Sequence, residues 1–202
     1  MAVEADWSSA SYWFSIVGLR KDLEIILPGL SEKSLQGDAE IRNLFSDLGV
    51  ESHFTMEGLV LSPKNPDLNS FEYDFRDNPD MVQTFIPYCI AKDIPFYFSG
   101  CRSLRIKETD RVLALANELA KFGVKLEYSK DGEFISWDGK SKPDWTNPPN
   151  IDTYDDHRMA LGMAPLCIMT GDLQINDPGV VSKSYPDFWK DLKKAGFSIT
   201  EI

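Results

Sequence analysis

Histidine occurs twice and cysteine three times in the 202 residues, at spacings that match neither a metal site nor a disulfide framework. Positive charge is also scarce. The 21 Lys+Arg stand against 32 Asp+Glu, a formal net charge of -11, which leaves no broad basic face for nucleic acid and disfavours docking on an anionic membrane. No apolar run approaches the roughly 18 residues of a membrane span. The start, MAVEADWSSAS, has neither the basic nor the apolar region of a signal peptide. No glycine-rich phosphate loop of the P-loop or dinucleotide type is present. Cys89 and Cys167 sit in apolar helical stretches, so the thiols are expected buried and the location cytoplasmic.

What is present is a repeat. Amphipathic helices end at Gly49, Gly123 and Gly196, glycines separated by 74 and 73 residues and each placed for a helix C-cap. Ahead of each lies an almost wholly apolar segment: SYWFSIVGL after Ser8-Ser9-Ala10, MVQTFIPYCI after Pro79-Asp80, and MALGMAPLCIM after Asp156-His157-Arg158. A helix apolar all round is a buried one, whereas the striped helices are outer ones. Short strands (LEIIL, PFYFSG, DLQIN) join buried to outer helix, and HFTMEGLVLS and KLEYSKDGEFISW read as hairpins. The expectation is a single α/β (α+β) domain, 1–202, of three strand-helix-strand-helix-hairpin units (about 3–62, 70–137 and 151–202) with parallel buried helices. The third unit stops without its hairpin.

Three runs carry the chemistry: SLRIKETDR (Ser103 to Arg111), TYDDHRMA (Thr153 to Ala160) and DPGVVSKSYPDF (Asp177 to Phe188). Lys107 and Arg111, four apart, can aim at one anion, or with Glu108 and Asp110 form a solvated ladder. Asp155 or Asp156 can cap the third buried helix. Arg158 in its first turn opposes the macrodipole and needs an anion there, either a ligand or Asp155 itself. Asp80 is a plain N-cap or the equivalent of Asp156 in the preceding unit. Lys183 precedes the third outer helix as Lys107 precedes the second, and is otherwise a surface lysine. If the buried helices run parallel, Asp80, Lys107, Glu108, Arg111, His157, Arg158 and Lys183 converge on one face that binds small anions and moves protons. His53 lies apart from this set.

From VEADWSSASY through NPDMVQTF, LRIKETDRVLALANEL and YDDHRMALG to DPGVVSKSYPDFW, the chain resembles the C-terminal half of the 5-enolpyruvylshikimate-3-phosphate synthase family. The resemblance implies transfer of the enolpyruvyl group of phosphoenolpyruvate to the 5-hydroxyl of shikimate 3-phosphate, releasing phosphate, without metal or organic cofactor. It implies Asp80 as proton acceptor, Glu108 exchanging the proton at C3, and His157 close by. Asp80, Ser103 and Lys107 would contact shikimate 3-phosphate, and Arg111, Arg158 and Lys183 phosphoenolpyruvate. Ser103 departs from the Asn common in the family. The family pairs two similar domains around a cleft, so an N-terminal domain is an expected partner and this chain alone is expected to be inactive. A transferase acting on a UDP-amino sugar, or a non-catalytic anion-binding module, are the competing readings.

Overall fold

In the computed structural model, which describes residues 3–201, helix α1 (Trp7–Leu19) begins where the Asp6 carboxylate accepts the Ser9 N–H at 2.8 Å. The expected start at Ser8 is thus two residues late. Asp6 meets both the open N–H and the helix dipole, and the Ser8 hydroxyl donates instead to Asp38. The chain continues through β1 (Ile25–Leu27), α2 (Ile41–Leu48) and the hairpin β2 (Val50–Phe54) and β3 (Leu59–Pro63). Next come β4 (Phe71–Asp74), α3 (Val82–Ala91), β5 (Phe96–Ser99), α4 (Arg111–Ala120) and a second hairpin, β6 (Glu127–Tyr128) and β7 (Phe134–Trp137). The last stretch holds α5 (His157–Met163), α6 (Cys167–Thr170) and α7 (Phe188–Lys194).

The two sheets, β1-β3-β2 and β4-β5-β7-β6, share a plan. In each, the returning strand of the hairpin lies antiparallel beside the strand that precedes the outer helix, as in Ile26↔Val60 and Phe98↔Ile135. β4 adds to β5 in parallel. The DLQIN run makes no such ladder. It forms a single parallel bridge, Ile151↔Ile175. On one side Pro148 and Pro149 have no N–H to donate. On the other, Tyr154 and Asp155 turn into left-handed backbone at φ 55° and 54°.

α1, α3 and α5 form the buried centre and run the same way. Ser11 meets Thr84 at 2.8 Å near the starts of α1 and α3, and Lys92 donates to Gly18 O near their ends. Glycine permits the close approach: a Cβ on Gly18 would lie 2.3 Å from the Tyr88 hydroxyl, and one on Gly162 of α5 would lie 2.2 Å from the Gln83 carbonyl oxygen of α3. The third buried helix is not the continuous one its apolar run predicts. Pro165 removes a donor, so the chain narrows into a 3-10 turn at Ala164–Leu166 before α6 resumes.

α2 packs Ile41, Leu44, Phe45 and Leu48 onto this centre. The Phe45 ring lies 4.8 Å from both Phe85 and Tyr88, contacts worth about 0.5–1.5 kcal/mol each beyond area burial. The glycines at 49, 123 and 196 have φ of 110°, 87° and 93°, the left-handed turn expected at the ends of α2, α4 and α7. Cys89 and Cys101 are buried and Cys167 half-buried, all as free thiols whose burial raises their pKa. Among the described residues no helix is long and apolar enough to cross a membrane.

Candidate active site

Parallel buried helices bring their N-terminal ends to one face, and the charged motifs meet there. Asp80 lies in the 3-10 turn Pro79–Met81 that opens α3. It does not cap that helix. Its carboxylate instead takes three cations: Lys107 Nζ at 3.2 Å and Arg111 Nη1 at 2.7 Å on one oxygen, Arg158 Nη2 at 3.2 Å on the other. Burial alone would raise the Asp80 pKa, but Arg158, Arg111 and Lys107 outweigh it and hold the carboxyl below its ordinary value.

Arg111 is the hub. As the first residue of α4 it would oppose the helix dipole, yet Asp110 caps that helix through the Leu113 N–H, and carboxylates surround the guanidinium. Nε donates to Asp156 Oδ2 at 2.6 Å, and Nη2 donates to Asp156 Oδ1 at 3.3 Å and to Glu108 Oε2 at 2.8 Å. With its side chain 1% exposed, Arg111 belongs to no solvated ladder. Only Arg105–Asp110 keeps that character. Nor does Arg111 present a free fork in this arrangement. Every nitrogen of its guanidinium already has a carboxylate partner.

Asp156, wholly buried, settles the cap of α5 by accepting the Arg158 N–H at 2.9 Å. Arg158 does not pair with Asp155. Its guanidinium turns to Asp80 and, through Nη1 at 3.4 Å, to the Tyr12 hydroxyl. Asp155 instead meets Lys183, whose Nζ donates to its carbonyl at 3.1 Å and lies 3.6 Å from its carboxylate. Lys183 therefore joins the cluster through the Tyr154–Asp155 turn, not through Asp80.

Glu108 is about one-third exposed beside Arg111. Burial pushes its carboxyl upward, and its own backbone N–H with the Arg111 charge brings it below the ordinary value. His157 is nearly buried, with Nδ1 3.8 Å from Asp156 and without a hydrogen-bond partner among the described residues. Burial and then Arg158 lower its pKa against the pull of Asp156 and Glu108, so the ring is neutral at pH 7. Ser103 lies half-buried in the 3-10 turn Arg102–Ile106 leading to Lys107. His53 is exposed on β2, away from the cluster.

Tyr12, whose hydroxyl burial raises to about 12 while Arg158 opposes the rise, was hidden inside an apolar run. A polar tip in a wholly apolar helix was the one signal available for it. An open groove of about 420 Å³ between α4 and the β6 edge, lined by Ala116, Ala120 and Tyr128 among others, holds no acid–base pair and lies apart from these charges.

Comparison with known proteins gives the family of the chain. A family model described as EPSP synthase (3-phosphoshikimate 1-carboxyvinyltransferase) matches residues 1 to 192. The 3-phosphoshikimate 1-carboxyvinyltransferase of Bacteroides fragilis strain ATCC 25285 is 45% identical over 197 residues, covering 98% of this chain and 48% of that protein. The protein of the same name from Methanospirillum hungatei is 34% identical over 194 residues, 95% of this chain and 43% of that protein. The chain thus spans about half the length of these relatives. Among solved structures, an EPSP synthase from Acinetobacter baumannii aligns with a TM-score of 0.69 at 20% identity, over 98% of this chain and 47% of that one. The enolpyruvyl transferase NikO from Streptomyces tendae gives 0.61 at 16%, over 98% and 44%. These two show a shared fold. With the family model matching nearly the whole chain, the chain belongs to the EPSP synthase family.

Proposed function

We propose that this chain is one domain, built of three related units, of an enzyme that transfers the enolpyruvyl group of phosphoenolpyruvate to the 5-hydroxyl of shikimate 3-phosphate. That step serves aromatic amino-acid biosynthesis. The observation that carries the reading is the meeting of Lys107, Arg111 and Arg158 on Asp80, beside Glu108 and a neutral His157, at the starts of the buried helices.

The chemistry assigned to the face needs an acceptor for the hydroxyl proton and a donor at carbon. Asp80, held ionised by three cations, takes the proton of the 5-hydroxyl as its oxygen bonds to C2 of the enol. Glu108, ionised at rest, first takes a proton from solvent and delivers it to C3, giving a tetrahedral intermediate. As phosphate leaves, Glu108 takes a proton back from C3, which regenerates the enol in the product, and the proton held by Asp80 passes to the departing phosphate. Arg158 and Lys183 hold the phosphoenolpyruvate anion, Lys107 and Ser103 contact shikimate 3-phosphate, and His157 supports the charge network from its buried place. Fixed cations already oriented at a charge that grows along the reaction supply the stabilisation. We assign Arg111 first to aligning Asp80 and Glu108, because reaching a ligand requires it to release one of them. The partner in this reading is a second, similar domain that closes over the face, and turnover requires both.

Calorimetric titration of the purified chain with phosphoenolpyruvate tests the anion site, and phosphate release with both substrates tests turnover. Weak saturable binding, lost in Arg158→Ala, and no turnover are the expected results. No binding by the unaltered chain, or turnover with a UDP-amino sugar by the protein carrying both domains, would overturn the assignment.

A further inference from the structure

We propose that Glu118, two helical turns beyond Arg111 on α4, is a positioning residue for the anion-binding face. In this role it fixes the segment that delivers Asp156, His157 and Arg158. The proposal rests on the functional reading of that face.

Glu118 is wholly buried, a costly place for a carboxylate unless each oxygen is satisfied. Its partners all belong to or grip one segment. Oε1 accepts from the Tyr154 hydroxyl at 2.7 Å, and Oε2 accepts from the Asp152 N–H at 3.0 Å and from Lys121 Nζ at 2.7 Å. Lys121 in turn donates to the Asn150 carbonyl at 3.0 Å and to the Asp152 carboxylate at 2.8 Å. None of these contacts joins α4 to its own hairpin.

The held segment is strained where it is held. Tyr154 and Asp155 are consecutive non-glycine residues in left-handed backbone, a pair that persists only when the surroundings over-determine it. That double reversal sends the Asp155 carbonyl toward Lys183 and turns the chain so that Asp156 enters α5 as its cap. α4 thus holds the segment twice, with Arg111 on Asp156 and, seven residues on, Glu118 on Asp152 and Tyr154. Seven residues at about 1.5 Å rise set the two grips roughly 10 Å apart on one stripe of the helix. With the first grip alone, the segment between Ile151 and Asp156 keeps its ends while the strained turn is free to relax. Arg158 and Lys183 then lose their fixed separation.

The test compares the unaltered chain with Glu118→Ala, Glu118→Gln and Tyr154→Phe. Tyr154→Phe removes one hydroxyl from a partly exposed ring and keeps the fold testable if the buried variant does not fold. Amide exchange over 152–158, measured without ligand, is expected to quicken at least tenfold in Glu118→Ala and about threefold in Tyr154→Phe, with α3 unchanged. Affinity for phosphoenolpyruvate should fall about fivefold or more in Glu118→Ala, with Glu118→Gln recovering part of both losses because it keeps an acceptor. Exchange over 152–158 within twofold of the unaltered chain in Tyr154→Phe and in Glu118→Gln would overturn the inference. Failure of the unaltered chain to bind phosphoenolpyruvate would instead sink the functional reading, and the exchange result would still decide the clamp.

Discussion

Replacing Arg111 by Met isolates the most consequential electrostatic contact in the chain. The thioether side chain nearly fills the space while removing the charge, so packing loss is small. Asp156, wholly buried and paired with Arg111 through two nitrogens, then keeps only the Arg158 N–H. Breaking a buried pair by removing one partner costs about 3–5 kcal/mol, because the other charge stays desolvated. Asp80 and Glu108, each about a third exposed, add little since water replaces the lost contact. The expected loss is therefore about 4 kcal/mol. At an m value of roughly 2 kcal/mol/M, the urea midpoint followed by tryptophan fluorescence falls by about 2 M. A double-mutant cycle with Asp156→Asn, which keeps the cap, should show the two changes coupled by about 1.5–3 kcal/mol. The exposed pair Lys140–Asp138 serves as control, with an expected change under about 0.5 kcal/mol. An Arg111→Met loss below about 1 kcal/mol, or additivity in the cycle, would refute the claim that Arg111 holds this face together.

Gly162→Ala places a Cβ 2.2 Å from the Gln83 carbonyl oxygen, a backbone atom that cannot step aside, so thermal unfolding should reveal a loss of about 1–3 kcal/mol or more. Acid should weaken the fold through Asp80 and Glu108. Their depressed pKa values make their contribution complete above the ordinary values of 3.8 and 4.5 and progressively lost as pH falls below them. In Asp80→Asn that acid slope should be shallower in urea titrations between pH 5 and about 2.5. The His157 ring should titrate below 6.5 by NMR. Since folding favours its neutral form, His157 adds stability above pH 6.5 that is lost as pH drops through the lowered value. A midpoint above 6.5 would mean that Asp156 and Glu108 outweigh burial.

The organisation of the chain was legible because it rests on local rules. A glycine turning left-handed after Leu48, Phe122 or Ala195 marks a helix end wherever the helix packs. The wholly apolar runs around Phe14 and Phe85 have nowhere to go but the centre. From parallel buried helices, the meeting of Asp80 with Arg158 follows almost by geometry. What escaped was decided by partners remote in sequence. Nothing near Arg111 announces that Asp156 will bury it. Glu118 reads as one more polar residue on a striped helix until the 150–156 segment is folded over it. Tyr12 passes for an apolar side chain until Arg158 reaches its hydroxyl. The DLQIN run has strand composition, but pairing depends on its neighbour, and prolines stand where donors were needed. Ser8 lost the cap of α1 to Asp6, a carboxylate two residues earlier.

The cluster also has a consequence for how a ligand arrives. Lys107, Arg111, Arg158 and Lys183 are matched in number by Asp80, Glu108, Asp155 and Asp156, all within the same set of contacts. Seen from a Debye length away the face is a zwitterion, and the field there is that of the remaining protein, with its net charge of -11. An approaching anion is not drawn in from a distance. It is repelled until it touches the surface, where under the proposed function Arg158 would exchange its Asp80 contact for the newcomer. Salt, which slows the capture of anions by basic clefts, should leave association with this face unchanged or make it faster.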